Sequence, residues 1–352
     1  MGRPLIISII TIFVVLKCAP GIADQVRIGT TYSRRQCEYL GIDWKKTYIA
    51  ILDTGFDIIR LGAYWDEIEK KKGEYDFSRL DWEINEARRK NIPVILAVGM
   101  KAPRWPEYYI PEWVIEKTHP AYGANLAKNV YLKEKTLDFI EKVVTRYGGE
   151  PIVQYWQVEN EPLNRIGSYK WYIGRSFLKQ EVEFVRKLDG KGRPIILTVA
   201  TYPNRFLRFF EELSTPQDPV KECLELCDII GINIYPTFGY KFLWFNIYFN
   251  TTPGGREKYF SKLLKRIRNK RKKVWITELQ AEPWEPGHLV YKEKDPPPTG
   301  MPETMEESFR EFRDMGVDTV LLWGAEYWRF RAVRYGDTEW ERTVRNLLGR
   351  PR

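Results

Sequence analysis

Eight short runs dominated by Ile, Val, Leu and aromatic residues recur along this 352-residue chain, and their regular alternation with amphipathic stretches restricts the fold more than any other feature. The runs are 25–32 (QVRIGTTY), 57–64 (DIIRLGAY), 93–99 (PVILAVG), 152–158 (IVQYWQV), 194–200 (PIILTVA), 228–235 (DIIGINIY), 273–279 (KVWITEL) and 318–324 (DTVLLWG). Each is too short for a stable helix and rich in β-branched residues, as buried strands are. Between them lie helix-period segments such as 80–91, 132–149, 259–270 and 304–316, several closing on Gly or Asn as helix C-termini do. Alternating strand and helix gives a parallel sheet with helices on its faces. Eight such units predict a (β/α)8 TIM barrel as a single α/β domain over residues 24–352, with loop insertions at the C-terminal face of the strands, because that fold takes about 250 residues plus insertions. A doubly wound open sheet is the alternative, and it leaves the eighth strand with no barrel to close.

The N-terminus reads differently. Residues 5–16 are a predominantly apolar, uncharged run after Arg3, followed by the small residues Gly21 and Ala23, so residues 1–23 are expected to be a secretory signal peptide. Twelve residues fall short of the ~20 that span a bilayer, which makes an uncleaved membrane anchor the alternative. Lys17 sits where a lipoprotein signal wants a small residue.

Composition narrows the chemistry. Net charge is +9, with Arg3 and Lys17 inside the leader, and much of the excess falls in KLLKRIRNKRKK, residues 262–273. Its spacing suits the solvated face of a helix better than a nucleic-acid site. The chain has four cysteines, Cys18, Cys37, Cys223 and Cys227; the last two stand one helical turn apart, so no disulfide framework is expected. The two histidines, His119 and His288, adjoin no cysteine pair, so no metal site is expected. No phosphate-cradling loop or dinucleotide fingerprint occurs, and no cofactor is expected. What remains is carboxylate chemistry.

In a TIM barrel the active site gathers at the C-terminal strand ends. Here those ends carry Arg60, Tyr64 and Trp65; Lys101, Arg104 and Trp105; Asn160 and Glu161; Asn233 and Tyr235; Glu278 and Gln280; Trp323, Glu326 and Trp328. Carboxylates, amides, arginines and indoles are groups that bind sugars. The stretch WQVENEPL, 156–163, turns from core strand to Asn-Glu-Pro at Glu161, and VWITELQAEPW, 274–284, places Glu278 at the end of the seventh strand. Glycoside hydrolysis needs two carboxyls, one to protonate the leaving oxygen and one to attack the anomeric carbon or activate water. Glu161 and Glu278 are the expected pair, ahead of Glu159, Glu282 and Glu326. Arg60 can keep Glu278 ionised and Tyr235 can donate to it. Indoles in the rim loops, among them Trp65, Trp105, Trp113, Trp284 and Trp328, can stack on sugar rings.

With ENEP and ITEL, RLGAYW followed by WDEIEKKKGEYDFSRLDW, GINIY and LLWG, the chain resembles the glycoside hydrolases of clan A, and within it the cellulase-like family 5 and its neighbours. The resemblance implies a retaining enzyme acting on a β-linked oligo- or polysaccharide, with Glu161 as acid/base and Glu278 as nucleophile. It further implies that Asn160 holds the sugar 2-hydroxyl, that Arg60 and Tyr235 position the nucleophile, and that Trp323 floors the subsite of cleavage. Lys101 and Asn233 stand where family 5 usually carries histidines. A barrel that binds carbohydrate without cleaving it, and a transglycosylase using the same site, are the alternative functions. The chain is expected to act as a monomer, outside the cytoplasm.

Overall fold

The computed structural model describes residues 26–165, 167–201, 203–204, 218–242, 244–251, 253–286 and 288–349, so the expected leader lies outside the described residues. In chain order the strands are β1 (Arg27–Thr31), β2 (Ile58–Gly62), β3 (Val94–Val98), β4 (Val153–Val158), β5 (Ile195–Ala200), β6 (Ile229–Ile234), a hairpin of β7 (Thr237–Phe242) and β8 (Phe245–Asn250), then β9 (Lys273–Gln280) and β10 (Thr319–Trp323). All but the hairpin pair in parallel in one closed barrel, ordered β1-β10-β9-β6-β5-β4-β3-β2. The eight runs are therefore the eight staves, and closure of β10 onto β1 rules out the open sheet.

Strands buried on both faces explain why the runs are apolar throughout rather than alternating. Ile58, Ile95, Ile196, Ile229, Trp275 and Leu321, one from each of six strands, form a cluster of their own, separate from the larger core that includes helix residues. Close approach requires Gly231 in β6, where a Cβ would lie 2.5 Å from the Thr277 hydroxyl. Outside the barrel, the helix Val130–Tyr147 starts where Asn129 accepts a hydrogen bond from the Leu132 amide and buries Leu132, Phe139, Ile140, Val143 and Val144. The basic run behaves as its spacing predicts: in the helix Pro253–Arg268, Leu263, Leu264 and Ile267 are buried while Lys262, Lys265 and Arg266 are exposed. Cys37, Cys223 and Cys227 are buried free thiols. Among the described residues no helix is long and apolar enough to cross a membrane.

Trp156 of β4 is fully buried, and its indole donates to Asp189 at the end of the helix Arg175–Asp189 (2.7 Å). Trp156→Ala is expected to cost about 3–5 kcal/mol, read as a lower midpoint in denaturant unfolding, because it opens a cavity and removes a buried hydrogen bond, although Arg193 still pairs with the same Asp189 oxygen.

The hairpin β7–β8 was not expected. Its run, GYKFLWFNIYFN (239–250), is apolar and aromatic like a barrel strand, but it follows β6 after only two residues, too few for a crossover helix. It stands apart from the barrel as a two-stranded antiparallel sheet after the sixth strand.

Candidate active site

The polar residues that interrupt the upper ends of the strands converge. Arg60 of β2, fully buried, donates from Nε to the Thr31 hydroxyl (2.9 Å), from Nη1 to Gln157 (3.0 Å) and from Nη2 to Glu278 Oε1 (2.7 Å). Each of its nitrogens is committed, so the guanidinium cannot swing away from Glu278. The other oxygen of Glu278 accepts from the Tyr235 hydroxyl (2.5 Å). A register shift supports this placement. Ile232 pairs with Ile276 but Asn233 with Glu278, so the extra residue Thr277 forms a bulge that lets Thr277 and Glu278 both reach barrel-mouth partners.

Glu161 has partners of its own. Asn233 donates from Nδ2 to its Oε1 (2.6 Å), and the Thr277 hydroxyl donates to Asn233 Oδ1 (2.7 Å), which fixes the amide's orientation. The Glu161 amide donates to Thr198 (2.8 Å), and Lys101 Nζ reaches its carbonyl (3.0 Å). Glu161 has φ 46° and Glu159 φ 60°, left-handed values that a non-glycine residue adopts only where its surroundings enforce them. Here Thr198 and Lys101 hold the main chain of Glu161, and the Val98 carbonyl and the Gln157 amide hold that of Glu159.

The environments separate the two carboxyls. Burial, then the neighbouring Glu278 charge, pushes Glu161 up to about 8. Glu278 is also raised by burial, but the Arg60 charge and the Tyr235 hydrogen bond oppose that rise. Glu161 is thus the group that keeps its proton at neutral pH, and Glu278 the one equipped to lose it.

Asn160 accepts at Oδ1 from Gln157 (3.1 Å) and Thr198 (3.2 Å), which leaves its amide N–H groups as what it can offer a ligand. Trp323 lies beside Arg60 but has Arg104 on its ring, with Cζ 3.9 Å from the centroid. Arg104 is in turn clamped by Glu282 and by Glu326 (2.5 Å). Those two acids are therefore engaged in ion pairs. Trp105 stays exposed at the rim.

Trp65 is a correction. It is fully buried, stacks on Phe139 at 5.4 Å and donates to Glu69 (2.7 Å), so the helix Trp65–Ile68 turns it into the core, away from any ligand. Trp328 is likewise buried, its indole donating to the Ala281 carbonyl (2.5 Å). Exposed Trp284 lies nearer the pair, with its ring 5.0 Å from that of Tyr235. Sequence reasoning passed over Thr31, Gln157, Thr198 and Thr277. Their signal was available as hydrogen-bonding residues inside otherwise apolar strands. Among the described residues no group of three or more His, Cys, Asp or Glu is placed to hold a metal ion.

A closed parallel barrel with paired carboxyls at its mouth defines the class, a TIM-barrel architecture of the kind glycoside hydrolases of clan A use. Comparison gives the particulars. The glycoside hydrolase family 42 model, described as beta-galactosidase, matches residues 39–188, a stretch that includes Glu161 and stops before Glu278. The beta-galactosidase BgaA of Clostridium cellulovorans is 25% identical over 133 residues, 34% of this chain and 19% of that protein. Beta-galactosidase BbgII of Bifidobacterium bifidum is 28% identical over 126 residues, 34% of this chain and 18% of that protein. The matched part thus amounts to about a fifth of the length of these curated relatives. Among solved structures, the cold-adapted beta-galactosidase of Rahnella sp. R3 superposes with a TM-score of 0.63 at 14% identity, over 92% of this chain and 55% of that one. GH5_18 from Streptomyces cattleya gives 0.62 at 11% identity, over 93% of this chain and 82% of that one. The chain is therefore similar in fold, over nearly all of its length, to TIM-barrel glycoside hydrolases of clan A, and in sequence to beta-galactosidases over about a third.

Proposed function

We propose that this chain is a retaining glycosidase that cleaves β-linked sugars by double displacement, with Glu161 as acid/base and Glu278 as nucleophile. The observation that carries the proposal is the pair of opposed environments: one carboxyl held protonated by burial and a neighbouring charge, the other held for ionisation by Arg60 and Tyr235. In the first step the Glu161 proton goes to the glycosidic oxygen while a Glu278 oxygen bonds to the anomeric carbon and the bond to the leaving group breaks. In the second, Glu161, now a carboxylate, takes a proton from water, the water oxygen bonds to the anomeric carbon, and Glu278 departs. The acceptor in that second step decides between hydrolase and transglycosylase. Beta-galactosides are the first substrates to assay, because the matched relatives are named as beta-galactosidases. Release of galactose from an aryl β-galactoside supports the proposal; a full panel of aryl β-glycosides and β-glycans left uncut refutes it and favours a binding barrel.

The pH profile follows from the same environments. The log of kcat/KM is expected to be bell-shaped, with its basic limb near Glu161's value of about 8 and its acid limb above the ordinary glutamate range, where Glu278 loses its proton. Arg60→Gln removes the charge that favours ionised Glu278, so it should move the acid limb upward and narrow the bell. A profile flat from pH 4 to 9, roughly the range over which carboxyls are tuned, contradicts the two-carboxyl mechanism.

We also propose that residues 1–23 direct export and are removed, an uncleaved anchor being the alternative; the short apolar run before Gly21 and Ala23 supports this. N-terminal sequencing of the native protein tests it, and a chain still beginning at Met1 or Gly2 contradicts it.

A further inference from the structure

Behind the acid/base lies a second carboxyl pair that the two-step reaction leaves unused. Glu159 follows β4, two residues before Glu161, and Glu181 comes from the helix Arg175–Asp189, on its buried face among Phe177, Leu178, Val182 and Val185. Both are fully buried, and their carboxyls are within hydrogen-bond reach of each other. Two carboxylates in contact without water repel too strongly to persist, so such a pair retains a proton. The partners decide where it sits. Glu159 accepts from the Met100 amide at Oε1 (2.8 Å) and from the Lys101 amide at Oε2 (2.6 Å). Among the described residues Glu181 meets no hydrogen-bonding group apart from Glu159. Two donors favour the charge on Glu159, and Glu181 keeps the proton and donates it across. Gly99 makes room for this arrangement: at φ 128° it has no side chain, and a Cβ there would lie 2.1 Å from Glu159 Oε1.

The same carboxylate joins the loop after β3 to the turn that carries the acid/base. Its two amide partners fix Met100 and Lys101; the Lys101 carbonyl accepts from the Asn160 amide (2.8 Å), and Lys101 Nζ reaches both the Glu161 carbonyl and Glu107 (3.0 Å each). We propose that Glu159 and Glu181 share one buried proton and that the pair is a positioning device, docking the β3 loop onto the end of β4 and so setting the main chain of Glu161. Glu159 touches no reacting atom in this account. It acts through Lys101.

The charged and titratable groups facing Glu159 are Lys101 and Tyr108 of the β3 loop and Glu181 of the helix, with Glu161 two residues along the same turn. Burial moves Glu159 up to about 7 and Glu181 well above the ordinary carboxyl range. A carboxyl whose folded pKa is raised contributes stability that is complete below its unfolded pKa and lost as pH rises through the folded one. The pair should therefore weaken the fold progressively from mildly acidic to alkaline pH. Glu181→Gln offers Glu159 a permanent N–H donor that cannot ionise. Glu159→Gln instead turns an N–H2 group toward two amide donors.

The test compares the full chain with Glu181→Gln and Glu159→Gln, measuring thermal midpoints from roughly pH 6 to 10, from below Glu159's value of about 7 into alkali, and kcat and KM on an aryl β-galactoside with a poor leaving group. Glu181→Gln should lose less of its midpoint at alkaline pH than the wild type and keep its kcat within roughly twofold. Glu159→Gln should lower kcat by about 10- to 100-fold, the order that misplacing a catalytic group costs, with KM little changed. Should Glu159→Gln fail to fold, Lys101→Met removes the contact to the Glu161 carbonyl, and the same kcat loss is expected. An alkaline loss in Glu181→Gln equal to the wild type's overturns the shared proton. Unchanged kcat in Glu159→Gln or in Lys101→Met overturns the positioning role. The positioning role rests on Glu161 as acid/base, so a wild type that cleaves no β-glycoside removes it together with that assignment, while the unfolding curves still decide the shared proton.

Discussion

Replacing Glu278 with alanine is expected to reduce hydrolysis of every β-glycoside the parent cleaves by many orders of magnitude, whatever the leaving group. In the proposed mechanism the carboxylate supplies the atom that bonds to the anomeric carbon, so no protonation of the leaving oxygen compensates for its loss. The deletion also leaves Arg60 with one Nη2 partner fewer in a fully buried position and frees the Tyr235 hydroxyl. The variant should therefore be checked for a native circular dichroism spectrum. Steady-state rates on aryl and alkyl glycosides measure the effect, and activity within tenfold of the parent on both would exclude Glu278 as the nucleophile.

Glu161→Ala should fail in a different way. An activated aryl leaving group departs with little need of an acid, so the first step survives on such substrates. The second step, left without a base to deprotonate water, becomes limiting. The glycosyl-enzyme then accumulates and a burst of phenol is released, followed by slow turnover. Azide attacks without needing a base, so it should restore turnover and yield the β-glycosyl azide, because two inversions retain configuration. On substrates with poor leaving groups the loss should reach or exceed 10²- to 10⁴-fold, roughly what general acid catalysis contributes. Rescue of Glu278→Ala instead, with an α-azide product, would reverse the two roles.

The barrel was legible in the sequence because its strands are buried on both faces. Each expected run overlaps a strand with ends that agree within two residues, from 25–32 against Arg27–Thr31 to 318–324 against Thr319–Trp323. The convergence at the candidate site was legible for a related reason. A polar residue at a strand end of an apolar barrel must have a partner, and Arg60, Asn233, Tyr235 and the two glutamates find one another there. Reading strand ends without their loops misled the assignment of indoles. Trp65 follows β2 closely, yet the short helix after that strand turns it against Phe139, and nothing in its spacing distinguishes an indole facing the rim from one facing a helix. The bulge at Thr277 and the Arg104 clamp on Trp323 were hidden for a similar reason: both depend on pairings between residues distant in the chain. The buried pair of Glu159 and Glu181 is another such pairing, since Glu181 reads on its own as a charge on a surface helix.

Mass spectrometry of peptides from Glu161→Ala, quenched during the burst with an aryl β-galactoside or whichever aryl β-glycoside the parent cleaves, addresses the catalytic assignment most directly. The double-displacement account predicts one glycosyl ester, on the peptide that contains Glu278, appearing with the burst and disappearing when azide is added. A glycosyl ester on a peptide carrying Glu282 or Glu326 but not Glu278, or a burst that leaves no ester on any peptide, contradicts it.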